Sequence, residues 1–284
     1  MSPRSAVAAI LALLAGRLAF AAEPGFTSTG RMDWDSGVLV VEVTRELDPA
    51  TDSLPRAKGD AETAIQARLG AFLMEALSAV TLDSARTFGD LLSDDQALFS
   101  GVRERALLSP RDALFLSADF HRLIVRCSVP FFGEQGIVAA LAHGKETPIA
   151  RRLGYTPSRP FTGVVISARG KLPVSGKSGE GVLRPALFPR IFDQEMNVVL
   201  EKAMVSPEAI ARWGIVGYAG SLEDSVLTTR AGLNPLRIAA RAVFGKNSTD
   251  IVIPSEAARQ LLTLEANIAL LREGKIVVVY ESLE

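Results

Sequence analysis

Hydrophobic and polar positions along the chain change period several times, and each change marks an element. Val38-Leu39-Val40-Val41-Glu42-Val43 is a β-branched run entered through the turn signal Asp35-Ser36-Gly37, so Arg31–Leu47 reads as a short hairpin. Between Ser53 and Val80, Ile65, Leu69, Phe72, Leu73, Ala76 and Val80 recur at three and four, and Pro55 suits a first turn. That spacing predicts a long helix with one face for a sheet. Ser93-Asp94-Asp95-Gln96 reads as a capping box opening a second helix, which Ser109-Pro110 closes. Strict alternation returns over His121–Phe131, with Leu123, Val125, Cys127, Val129 and Phe131 on one face.

The second half reads as more strand than helix. A short helix is expected at Ile137–Ala142, then a polar connection from His143 to Pro160, punctuated by Pro148, Gly154, Pro157 and Pro160. Strands are predicted at Phe161–Arg169, Val182–Asp193, Gly214–Ala219, Leu236–Phe244 and Asp250–Ile253, with a short helix at Pro207–Arg212. A last helix runs from Ser255 to a stop at Gly274, with Ala257, Leu261, Leu264, Ile268 and Leu271 on one stripe. Lys275–Tyr280 is apolar without alternation, which places the terminal strand inside a sheet covered on both faces. The expected fold class is α+β: an N-terminal helix-on-sheet unit, then a mixed or antiparallel sheet closed by a C-terminal helix and strand. The expected division is residues 1–22 as a leader, 23–150 as the first unit and 151–284 as the second.

Composition narrows the function classes. The 284 residues are 48% hydrophobic and 22% charged, with a formal net charge of -1. A near-neutral chain lacks the cationic surface that non-specific nucleic-acid binding requires. Part of the positive mean hydropathy of +0.22 comes from the first 22 residues. These read as a secretory signal: Arg4, an apolar run over Ala6–Ala15, and the small residues Ala19 and Ala21 around Phe20. The run is broken by Gly16-Arg17 and is shorter than the ~20 residues of a membrane span. The reading is therefore an exported protein, periplasmic or envelope-associated, without a stable membrane anchor after cleavage. Cys127 is the only cysteine, so no intramolecular disulfide forms and a cysteine-based metal site is not expected.

Most catalytic chemistries fail on spacing. The glycine loop Gly170–Gly181 separates Gly170 from Gly176-Lys177-Ser178 by five residues where a P-loop has four. Beyond Ser178 the chain continues as Gly179-Glu180-Gly181 and then Arg184-Pro185, which opens no helix toward a phosphate. There is no G-x-S-x-G elbow, and the two histidines, His121 and His143, lack zinc-ligand spacing. Trp34 between Asp33 and Asp35 reads as a core anchor before a carbohydrate platform. No catalytic residue, metal or cofactor is expected. The polar cluster left for attention is Arg169, Arg190 and Asp193. If the strands carrying them pair, an arginine from each flanks one carboxylate, either as a salt-bridge network fixing register or as a pocket for a small anion.

The segments Thr162–Ile166, Ala168–Gly170, Arg184–Asp193, Trp213-Gly214, Asn234–Arg241 and Thr249–Ile253, with the terminal helix and strand, resemble a family of uncharacterised secreted bacterial proteins. More loosely, Trp34-Asp35-Ser36-Gly37, the strand after it and the Arg56–Val80 helix are similar to a module of small outer-membrane lipoproteins and of a flagellar T-ring protein. The chain departs from the lipoproteins in lacking the acylated cysteine. The resemblance implies a helix packed on a small sheet and a role in envelope assembly, with no functional residue to carry over. The expected function is that of an exported, non-catalytic envelope protein acting through other envelope proteins. The alternative is a periplasmic binder of a small anion at Arg169 and Arg190.

Overall fold

The structure is a computed structural model that describes residues 24–48, 53–152 and 156–281, together with the two-residue strand β1 (Leu18–Ala19). Apart from β1, the expected leader lies outside the described residues, as does Gly154 of the expected connection.

The first unit is one antiparallel sheet under three helices. β2 (Phe26–Asp33) and β3 (Val38–Glu46) form the expected hairpin, in register from Phe26↔Arg45 to Asp33↔Val38. Its turn closes on Gly37 at φ 68°. α1 (Leu54–Ser78) then lays Ile65, Leu69, Phe72, Leu73 and Leu77 onto Leu39, Val41 and Val43 of β3. After α2 (Phe88–Asp94) and α3 (Gln96–Leu107), the strands β4 (Arg111–Leu116) and β5 (Arg122–Pro130) complete the sheet in the order β1-β2-β3-β5-β4. The alternation expected for β5 holds, with Leu123, Val125, Cys127 and Val129 buried.

The capping expectation is corrected in detail. α2 starts at a reciprocal box between Thr87 and Asp90, while Ser93 donates to the Asp90 carbonyl. α3 is capped by Asp95, whose carboxylate accepts from the amides of Ala97 and Leu98. An aspartate can accept from two orphan amides at once, which leaves Ser93 nothing to cap.

The second unit contains two small sheets and a hairpin. β6 (Val164–Ser167) leads into the hairpin β7 (Lys171–Pro173) and β8 (Glu180–Val182), so the glycine loop is a strand turn. Next come β9 (Ile191–Phe192), β10 (Val198–Leu200), α4 (Pro207–Trp213) and β11 (Gly217–Ala219). The chain continues through β12 (Leu236–Ala239), β13 (Ala242–Phe244), β14 (Asp250–Val252), α5 (Ser255–Thr263), α6 (Glu265–Arg272) and β15 (Ile276–Val279). One sheet is wholly parallel in the order β11-β15-β6-β12; the other is mixed, β10-β9-β14-β13. The terminal strand β15 is interior, as its apolar run requires. Ile276 and Val278 face the main core, and Val277 and Val279 face a second cluster with Val165, Ala219 and Leu227.

Three expected elements are broken, each where hydrogen bonds are redirected. Val182–Asp193 is not one strand: Pro185 and Pro189 carry no amide, and the amides of Leu187 and Phe188 instead reach the carbonyls of Thr81 and Leu82 in the first unit. Leu236–Phe244 splits at Ala240–Arg241, because Ala240 donates back to Ser167 while Arg241 donates across to Val252 in the other sheet. The last helix breaks at Leu264, which is extended at φ -102°, ψ 131°. The Gln260 carbonyl that would bond the Leu264 amide in a continuous helix accepts from Ser158 Oγ and Asn267 Nδ2.

One apolar core runs through both units. Trp34, at the tip of the first hairpin, packs edge-on to Tyr218 of β11 with centroids 5.6 Å apart, and so serves as the expected anchor. Phe132 sits between two glycines, Gly37 from the first unit and Gly214 from the second. A Cβ on either glycine would lie 2.6 or 2.7 Å from its ring.

Candidate functional site

The three residues singled out in the sequence make no hydrogen bond or ion pair with one another. β6 and β9 belong to different sheets, so the strands carrying Arg169 and Arg190 do not pair, and the expectation of two arginines around one carboxylate is corrected. The reason is β15, which takes the place beside β6 that the hairpin reading assigned to β9.

Arg190 is held by Asp250. Its Nε and Nη2 donate to Asp250 Oδ2 at 3.2 and 2.9 Å, its amide donates to Oδ1 at 3.0 Å, and Nη2 also reaches Ser84 Oγ at 3.1 Å. The guanidinium lies over the Phe192 ring at 5.1 Å. Asp193 is fully buried and accepts from the Asn197 amide at 2.8 Å, from Asn197 Nδ2, and from Arg152. Burial works against its ionisation, but the bonds from Asn197 and Arg152 outweigh that and hold the carboxyl below its ordinary range. Arg169 is different: it is exposed at the carboxyl end of β6, and no ion pair or hydrogen bond holds its guanidinium among the described residues.

The structure adds polar groups that spacing did not reveal. Arg230, in a single π-helical turn over Leu227–Ala231, is 6% exposed. It donates to the carbonyls of Gly274, Trp213 and Gly214 at 2.8, 2.6 and 2.8 Å, tying the end of α4 to the start of β15. Burial pushes its pKa down to about 9, so it stays charged at neutral pH. Asp35, exposed at the hairpin tip, accepts from the Tyr280 hydroxyl and the Gly220 amide. Its pKa is raised by partial desolvation and by the charges of Asp33 and Asp224. No sequence signal announces the bonds that either residue makes, because their partners come from distant parts of the chain.

Two open grooves meet at His143. One, of about 910 Å³, runs along α3 and includes Leu98, Glu104, Leu108 and Glu134. The other, of about 310 Å³, includes Glu146, Glu201 and Lys202. Lys202 lies 4.7 Å from the Phe188 ring, and burial and the Arg86 charge lower its pKa. His121 stands near Ser117 and Asp119, but that serine donates to the carboxylate directly, and the Asp119 carboxylate accepts the His121 backbone amide. A nucleophile needs the imidazole between those two groups. Cys127 is buried, and burial raises its thiol pKa. Among the described residues, no group of three or more His, Cys, Asp or Glu is placed to hold a metal ion, and no helix is long and apolar enough to cross a membrane.

Fold and site together define an α+β protein of two packed units whose buried charges close the structure on itself. Residues 25–134 match the family described as Treponema pallidum Tp0624, N-terminal domain, and residues 163–282 the family described as Treponema pallidum Tp0624, second domain. The matches fall on the two units in chain order and indicate an uncharacterised bacterial family. No curated protein matches the chain.

Proposed function

We propose that the chain is an exported, non-catalytic protein of the cell envelope that acts through protein partners. The observation that carries this reading is the use made of buried charge. Active sites hold perturbed ionisable groups that are free to meet a substrate, whereas Asp193, Asp250 and Arg230 are each bound by partners within the fold. Open grooves, and apolar side chains such as Leu108, 77% exposed, lie at the surface. Export rests on the signal-like first 22 residues. An assembly role rests on the likeness of the N-terminal module to small outer-membrane lipoproteins and a flagellar T-ring protein.

The second reading, a binder of small anions at Arg169 and Arg190, is favoured by the guanidinium of Arg169, unpaired among the described residues, whereas Arg190 is engaged by Asp250. Chemical crosslinking in intact cells separates the two. The partner reading expects a discrete larger species containing this chain and a second protein. It is abandoned if only the uncrosslinked chain is recovered and small anions raise its melting temperature in a way that Arg169→Ala abolishes.

A further inference from the structure

We propose that the free edge of β12 binds an extended acidic segment of a partner protein, adding it as a strand to the parallel sheet. The proposal rests on the partner reading above and supplies a surface for it. Among the described residues β12 pairs with β6 on one side and with no strand on the other. The amides of Leu236 and Ala240 donate to Gly163 and Ser167 on the β6 side. In a parallel ladder the intervening residues therefore turn their amides and carbonyls outward, which leaves those of Arg237 and Ala239 at the open edge.

The side chains beside that edge are cationic. Register sets Arg237 next to Val165 and Ala239 next to Ser167. Ala240 still bonds Ser167, and Arg241 and Arg169 each lie two residues beyond the Ala239↔Ser167 pair. Alternation puts Arg237, Ala239 and Arg241 opposite Leu236, Ile238 and Ala240. Arg169, Arg237, Ala239 and Arg241 are all exposed, and none of the three guanidiniums has an ion pair or hydrogen bond among the described residues. Some exposed arginines elsewhere are matched, Arg126 with Glu42 and Arg86 with Asp83. Like charges on adjacent strands repel, so this group gains from a counter-charge that the fold does not supply.

A strand added at β12 presents every second side chain to the arginine face, at a repeat of roughly 7 Å. Carboxylates at alternate positions, Glu-X-Glu-X-Glu, then meet Arg237 and Arg241 on either side of the small Ala239, and guanidinium forks match carboxylates. Main-chain bonds give such a complex affinity and the charges give it selectivity. Arginines on a short edge also keep copies of the chain from pairing with one another; an acidic strand converts that repulsion to attraction.

The test is fluorescence anisotropy of the intact chain with a fluorescein-labelled Glu-Val-Glu-Val-Glu-Val-Glu peptide at low salt. Saturable binding is expected, weakening with salt. Arg237→Glu or Arg241→Glu should each weaken it roughly three- to tenfold without moving the melting temperature, since both positions are exposed. The same peptide N-methylated along its backbone should lose binding, because edge pairing needs its amides. No binding by the parent peptide overturns the proposal. So does undiminished binding of the N-methylated peptide with displacement by inorganic phosphate at matched ionic strength, which would make the arginines an oxyanion site. If crosslinking in cells recovers a partner while the peptide fails to bind, this surface falls and the partner reading stands; if both fail, both fall.

Discussion

Replacing Gly214 by alanine tests how the two units are joined. Gly214 caps α4 at φ 80°, ψ 179°, a backbone region that side chains avoid. Holding a residue there costs on the order of 1–3 kcal/mol. The new Cβ would also lie 2.7 Å from Phe132 Cε1, and overpacking of that kind costs roughly 1–3 kcal/mol. The sum, about 2–6 kcal/mol, is a large part of the ~5–15 kcal/mol that holds a typical protein folded. Urea unfolding tracked by circular dichroism should show a midpoint lower by about 0.7–2 M for a slope near 3 kcal/mol/M. Repeating the substitution in a Phe132→Ala background should recover the packing part and leave the backbone part, a coupling of about 1 kcal/mol or more. A cost under about 0.5 kcal/mol, or the same cost with and without the ring, refutes the wedge.

Arg230→Met removes a buried cation and leaves the carbonyls of Trp213, Gly214 and Gly274 without their donor; a loss of about 2–4 kcal/mol in urea unfolding is expected. Asp193 has a folded pKa below its unfolded value, so its contribution is full above the unfolded carboxylate pKa and disappears as pH falls through the folded one. Asp193→Asn should accordingly flatten the acid limb of the stability curve below about pH 4. Asp35 has the opposite sign: its raised pKa favours the protonated fold, so its contribution is lost as pH rises above the ordinary carboxylate value. Asp35→Asn should be more stable than wild type at pH 7 and gain nothing at acid pH, by a margin kept small by solvent at this exposed position. Cys127 should react with a thiol reagent only slowly in the native chain and rapidly in denaturant, measured by the release of a coloured leaving group.

The sequence was most legible where one face of one element decides the outcome. The hairpin at Gly37, the stripe of α1, the alternation of β5 and the unbroken apolar run of β15 all derive from local period. It was least legible where a hydrogen bond crosses between elements. Nothing near Leu264 says that Asn267 and Ser158 will take the Gln260 carbonyl, and nothing near Ala240 says that the next amide will join another sheet. The strand β4 was missed for a related reason, since Arg111–Leu116 has only intermediate and exposed positions and joins the sheet through β5 alone. The candidate cluster failed as a cluster because pairing was inferred from adjacency in sequence, whereas Arg190 finds Asp250 sixty positions away. Arg169 kept its interest, because β12, which carries Arg237, pairs beside β6, a placement that sequence alone does not give.

The central claim is that this chain works by contact with other proteins, and site-specific photocrosslinking in cells tests it most directly. A photoreactive residue would be placed in turn at Leu108, Leu222 and Ala239, all exposed, with purification and mass spectrometry of the adducts. The account predicts a discrete protein adduct from at least one position, and from Ala239 an adduct that Arg237→Glu diminishes. No adduct from any position, together with an Arg169-dependent rise in melting temperature on adding a small anion, would contradict it.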